Sequence, residues 1–278
     1  MIGQVLTRSG AQMPAVGQGT WRMGEDPRRR REEVKALQLG FDLGMTLVDT
    51  AEMYADGGAE GVVAEAIRGR RDEVFVVTKV LPQNASYDGT IEAAERSLKR
   101  LGTGWVDLYL LHWPGSHPLE GTLEAFGRLA ESGKIRHYGL SNFNLEEMKR
   151  AEGLHGGIGV AVDQVLYNLE RRGMERHLLP WCAERRIALM AYSPFEQARL
   201  RQDDVLIHIA RRHAATAMRV ALAWTIRYEE VMAIPKASKV DHVRDNAAAA
   251  DLCLTEEDLY ELERVFPPPA GDAPFEML

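Results

Sequence analysis

Four side chains in the first 112 residues carry groups that can move protons and charge: Asp49 and Tyr54 in LVDTAEMY, Lys79 at the end of VFVVTK, and His112 at the end of DLYLLH. Asp49 closes an apolar run, and an uncompensated carboxylate in a buried strand costs several kcal/mol or more. It therefore requires a cationic partner, a bound metal or dense hydrogen bonding. Lys79 is the candidate cation, and Tyr54, five residues beyond Asp49, can join the pair if the two apolar runs are neighbours. Such a chain has a definite chemical use. A phenol with a pKa of about 10 is a poor proton donor at neutral pH, a nearby ammonium favours phenolate and lowers that value, and the carboxylate keeps the ammonium charged and oriented. The expected product is a general acid tuned toward working pH, with His112 placed on the same substrate oxygen. It would protonate a carbonyl oxygen as hydride arrives at carbon. Taken singly each residue has a structural reading: a buried ion pair, a backbone-bonded histidine, a packing tyrosine. A metal site gains little support, because His112 and His117 match no common ligand spacing.

The elements that must bring these groups together are legible in the alternation of the chain. β-rich stretches recur as AVGQGT, TLVDTA, VFVVTK, DLYLLH, HYGLSN, AVDQVLYN, IALMAYS and VMAIPK, starting at residues 15, 46, 74, 107, 137, 161, 187 and 231. The spacing leaves room for a helix and two loops between each pair. REEVKALQLGFDLG, TIEAAERSLKRLG, PLEGTLEAFGRLAESG and LEEMKRAEG carry apolar residues at helical intervals, and Gly44, Gly102 and Gly133 sit where helix C-terminal signals belong. Eight alternating units predict a (β/α)8 TIM barrel formed by a single domain spanning residues 1–278. An open doubly wound sheet is disfavoured, because Gly17, Gly19 and Gly24 have the wrong spacing for a dinucleotide fingerprint. QVLTRSGAQMP predicts an N-terminal β-hairpin plugging the barrel. DDVLIHIARRH and LTEEDLYELERVF, the latter capped by Thr255, predict extra C-terminal helices.

In such a barrel the strand C-termini carry the chemistry. Asp49, Lys79 and His112 then end the second, third and fourth strands at matching heights, each sharing a face with Leu47, Val77 or Leu110 two positions back. A formal charge of −7 argues against a nucleic-acid binder. Arg28, Arg29, Arg30 and Arg31, followed by Glu32 and Glu33, read as the exposed start of a helix rather than a phosphate patch; Arg68, Arg70 and Arg71, before Asp72 and Glu73, read the same way. Cys182 and Cys253 lie far apart, which fits a reducing compartment, and no apolar run reaches membrane-spanning length. A cytoplasmic monomer acting on a small molecule is expected.

The motifs DTAEMY (49–54), VTK (77–79), LLHW (110–113), GLSNF (139–143), DQVLYN (163–168), AYSP (191–194) and IPK (234–236) resemble, in order and over almost the whole chain, those of the aldo-keto reductase superfamily. The resemblance implies a catalytic tetrad of Asp49, Tyr54, Lys79 and His112. It implies that Ser141, Asn142 and Gln164 hydrogen-bond a nicotinamide carboxamide, that Tyr192 stacks on its ring, and that Ser193 and the following loop hold the pyrophosphate. Lys236, Ser238, Arg244 and Asn246 would grip the adenosine end, where positive charge suits the 2′-phosphate of NADPH. Many family members carry an arginine six residues after this lysine; here that position is His242, which weakens the preference and admits NADH. Trp21 and Trp113 match substrate-pocket positions, and Tyr87 is expected near the rim. The short WPGSHPLEG loop and the tail PPPAGDAPFEML predict an open, less selective pocket. The implied activity is reduction of aldehydes or ketones by direct hydride transfer with Tyr54 as general acid; the alternative is a nicotinamide-binding regulatory or redox-sensing module of low activity.

Overall fold

Each of the eight predicted stretches contributes one strand of a parallel sheet in the computed structural model, which describes residues 2–272 and 274–278. An antiparallel hairpin of β1 (Gln4–Leu6) and β2 (Gln12–Pro14) comes first. The sheet follows as β3 (Gln18–Gly19), β4 (Leu47–Asp49), β5 (Phe75–Val80), β6 (Val106–Leu111), β7 (Ile135–Ser141), β8 (Val160–Leu166), β9 (Ala188–Tyr192) and β10 (Val231–Ala233). Every consecutive pair is hydrogen-bonded in parallel. Backbone bonds from Gly17 N to Ala233 O (2.8 Å) and Ala233 N to Ala15 O (2.9 Å) close the sheet on itself. At that seam a Cβ on Gly19 would stand 2.7 Å from the carbonyl oxygen of Ile234, so only glycine lets the two chain segments meet.

The outer ring comprises α1 (Arg30–Asp42), α2 (Gly58–Ala66), α3 (Tyr87–Leu101), α4 (Leu119–Glu131), α5 (Leu145–Glu152), α6 (Leu178–Glu184), α7 (Asp204–Arg212), α8 (Ala217–Thr225), α9 (Val240–Ala248) and α10 (Glu256–Val265). The predicted stops hold: Gly44, Gly102 and Gly133 all have positive φ. Thr255 and Asp258 form the expected capping box at the start of α10, and Asp258 also binds Arg212 and His213 at the end of α7.

Two apolar compartments result. The larger lies between sheet and helices; the smaller fills the barrel and contains Leu47, Val77, Leu108, Leu110, Val162, Met190 and Met232 together with Val5, Ala11 and Met13 of the hairpin. The hairpin is thus the plug that its sequence suggests. Among the described residues no helix is long and apolar enough to cross a membrane. Among the basic runs, Arg71 departs from expectation: it turns inward to the buried carboxylate of Asp107 (2.7 Å) instead of facing water.

Candidate active site

The polar groups collect where β4, β5 and β6 end, but not at equal heights. Asp49 is opposite Val77, and Lys79 is opposite Leu110, so each strand advances by two residues over its neighbour. This is the stagger that closing a tilted sheet requires. The four-carbon stem of Lys79 spans it, reaching back to Asp49.

Lys79 is fully buried, and its ammonium places hydrogen bonds on Asp49 Oδ2 (2.7 Å), the Thr50 carbonyl (2.8 Å) and Tyr54 Oη (3.3 Å). An ammonium has three N–H groups, and all three are committed here. Tyr54 Oη therefore accepts from Lys79, which leaves its own proton free to be donated elsewhere. Asp49 completes its shell with Gln164 Nε2, which donates to Oδ1 at 2.8 Å. The turn that carries Tyr54 is held in an unusual backbone: Ala55, Asp56 and Gly57 all have positive φ, and two of them bear side chains that disfavour it.

His112 is packed edge-on to the Tyr54 ring (5.7 Å between centroids), while Trp21 stands edge-on at 5.0 Å from the same ring. Burial first, and the charge of Lys79 second, push the His112 pKa down to about 2, so it is a neutral imidazole at physiological pH. Its Nδ1 is buried without a hydrogen-bond partner among the described residues. Tyr54 departs from the sequence expectation. Burial, followed by the negative charge of Asp49, raises its pKa well above the ordinary phenol value. Asp49 offsets the ammonium as felt at the phenol, so the protein's own groups hold Tyr54 protonated rather than tuned toward neutrality. Burial also raises Asp49 and lowers Lys79, each opposed by attraction to the other.

These groups open into a cleft of about 590 Å3. Its lining includes Asp49, Tyr54, His112, Ser141, Asn142, Gln164, Tyr192, Ser193, Lys236, Trp21 and Trp113, eleven of the fifteen side chains anticipated for the site. Lys79 lies beneath it, and Ser238 beyond Lys236. Arg244 and Asn246 both lie on α9, the first exposed and the second buried, and neither lines the cleft. Tyr87 opens α3 and is not part of the wall. Met53, Phe195, Gln197, Arg199 and Leu278 also line it. No periodic pattern in the sequence marks them, because they lie on irregular loops and the tail.

The cleft has the composition that a nicotinamide dinucleotide requires. At its centre Asn142, held at φ 62°, donates to the His112 carbonyl (3.1 Å) and accepts from Tyr192 Oη (2.9 Å). This braces the aromatic side chain against an amide edge. Ser141 Oγ donates to the Gln164 carbonyl (3.0 Å), tying β7 to β8. Ser193, Glu196, Gln197 and Ala198 all have positive φ, giving the loop after β9 a run of left-handed residues. At the far end Lys236 is half-buried, its pKa lowered by burial and by nearby Arg29. Flat aromatic, amide edge and cations in that order fit a ring, its carboxamide and a phosphorylated end.

The tail corrects a further expectation. Phe275 packs on the core, Glu276 pairs with Arg171 at 2.6 Å, and the Leu278 N–H donates to Tyr192 Oη at 3.3 Å. The mouth is therefore partly covered rather than open. Arg171 also binds Glu196, so one guanidinium links the tail to the loop after β9.

Comparison with known proteins agrees with this geometry. The model of the Aldo/keto reductase family matches residues 15–266. The chain is 49% identical over 271 residues to methylglyoxal reductase YeaE of Escherichia coli K12, covering 96% of this chain and 95% of that protein. It is 34% identical over 275 residues to glyoxal reductase of Bacillus subtilis, covering 95% of each. A crystal structure of an aldo-keto reductase from Klebsiella pneumoniae in complex with NADPH superposes with a TM-score of 0.97, at 46% identity, over 100% of both chains.

Proposed function

The chain belongs to the aldo/keto reductase family, and from that premise we propose that it reduces aldehydes or ketones to alcohols with NADPH, Tyr54 being the proton donor. Small α-dicarbonyls are the first substrate class to consider, given the relatives named methylglyoxal reductase and glyoxal reductase. Trp21, Tyr54, His112 and Trp113, in ring contact along the cleft wall with Met53 also lining it, give a compact substrate apolar and aromatic surface to pack on.

The observation that carries the reading is the commitment of every Lys79 N–H, one of them to Tyr54 Oη. NADPH, when bound, supplies the hydride. Tyr54 gives its proton to the carbonyl oxygen, and the phenolate that forms is already bonded to the ammonium. The preorganised Lys79 N–H thus acts on charge as it develops, which is where electrostatic catalysis is effective. Asp49 holds Lys79 in place and keeps it charged. The neutral His112 has a single N–H with which to bind the same oxygen and cannot itself compete as a strong acid. Ser141, Asn142 and Gln164 would orient the carboxamide, and Tyr192 the ring. Lys236 and Ser238 would hold the adenosine end.

An NADPH-oxidation screen with methylglyoxal, glyoxal, aldoses and aromatic ketones tests this, with Tyr54→Phe run beside the native chain. Turnover of at least one carbonyl by the native protein, nearly lost in the variant, is expected. Tight NADPH binding without oxidation by any carbonyl would instead favour a sensor.

A further inference from the structure

Arg29 meets Ser238 across the barrel seam, 209 positions away in the chain: its Nη2 donates to Ser238 Oγ at 2.9 Å. Lys236 Nζ bonds to the same oxygen at 3.5 Å. Two cations thus converge on one hydroxyl. The neighbouring arginines behave differently, Arg28 pairing with Asp26 at 2.9 Å and Arg30 with Glu65 at 2.7 Å. Among the described residues no carboxylate comes within ion-pair distance of Arg29 or Lys236, although Glu25 and Glu33 temper the field at Lys236 from further off and Arg22 adds to it. Bringing like charges together without an anion between them is unfavourable, and a hydroxyl cannot neutralise either. The arrangement is suited to a dianion.

We propose that Arg29 is a cofactor-specificity residue that binds the 2′-phosphate of NADPH together with Lys236 and Ser238. The inference rests on the NADPH reading above and adds to it a residue from the opposite side of the seam. It also resolves the departure at position 242, where the chain has His242 instead of the arginine expected from the resemblance. The guanidinium comes from the segment before α1 rather than from α9. Arginine suits this place because its planar fork can hold two phosphate oxygens while the compact ammonium of Lys236 contributes charge.

The test is direct cofactor titration, followed by quenching of intrinsic tryptophan fluorescence, on the native protein, Arg29→Ala and Arg28→Ala. NADPH, NADH and adenosine 2′,5′-bisphosphate serve as ligands. In Arg29→Ala the dissociation constants for NADPH and the bisphosphate should rise about tenfold, an ordinary loss for one charge-assisted contact, while that for NADH changes less than about twofold. Arg28→Ala should change none of the three. Equal weakening of NADPH and NADH by Arg29→Ala, no weakening of either, or the same loss in Arg28→Ala would overturn the assignment while leaving the NADPH reading standing. A native protein that binds NADPH no better than NADH would remove the phosphate site altogether, and one that binds neither would overturn the functional reading as well.

Discussion

Two of the carboxylates that the barrel strands bury, Asp107 and Asp49, lie near its opposite ends and are satisfied in different ways. Asp107, toward the N-terminal end of β6, receives Arg71 on one oxygen (2.7 Å), Arg136 on the other (2.9 Å) and the Val76 N–H (3.0 Å). Both guanidiniums lie over the Trp105 ring, and the Arg136 side chain is 57% exposed. Asp49, at the opposite end, depends on one fully buried lysine and one amide. Its cation passes a hydrogen bond onward to a phenol that faces a cleft. Burial of an ion pair therefore does not identify a working site. What distinguishes the Asp49 end is that its phenol lines a cleft and that, among the described residues, the imidazole beside it has a buried nitrogen without a partner.

That difference can be broken experimentally. The largest effect belongs to Tyr54→Phe, which should lower kcat by roughly 10²–10⁴-fold, the usual worth of a positioned general acid, with NADPH affinity and melting temperature nearly unchanged. Lys79→Met should cost about 3–5 kcal/mol in urea unfolding, because it strands Asp49 in the interior, and should also remove turnover. Adding Asp49→Asn to it should restore much of the stability and none of the activity. Asp107→Asn should cost only about 1–3 kcal/mol, since one of its two cations, Arg136, reaches water, and should leave kcat unaltered. A substantial fall in kcat there would erase the distinction between the two ends.

The smallest effect concerns pH. His112 has its pKa lowered from the ordinary histidine value of 6.5 to about 2 in the folded protein. Between those values the unfolded chain binds a proton that the native state refuses, so this residue's contribution to stability declines as pH falls below 6.5. From pH 6.5 to 5.5 the decline should be about 1 kcal/mol. Chemical denaturation at the two pH values should show that difference in the native protein and a shallower one in His112→Gln. Identical slopes would mean that the imidazole is better solvated than its burial indicates.

Much of the site was readable before any coordinates. Asp49, Lys79 and His112 each end an apolar run of barrel pitch, and strand ends in a parallel barrel must share one rim. The charge buried in LVDTA demanded a cation, a metal or dense hydrogen bonding, and Lys79 was the candidate cation. The loops were harder. Arg29 looked like its neighbours because a run of arginines followed by glutamates has one local meaning, whereas the contact with Ser238 depends on closure of the first strand against the last. The tail looked too short to cover the mouth, since nothing local indicated that Glu276 would find Arg171. The shifted phenol was also missed: proximity of Lys79 was foreseeable, while the desolvation that outweighs it was not.

The amino-acid order alone determined the alternation of strand and helix, the stops at Gly44, Gly102 and Gly133, and the residues that must emerge at the barrel mouth, because period and burial are local properties of the chain. The tertiary structure decided the stagger that makes a lysine the right length, the direction of the Tyr54 proton, and the meeting of Arg29 with Lys236. Those depend on distances between segments far apart in sequence and on how much water each group has lost, neither of which is encoded in any short stretch.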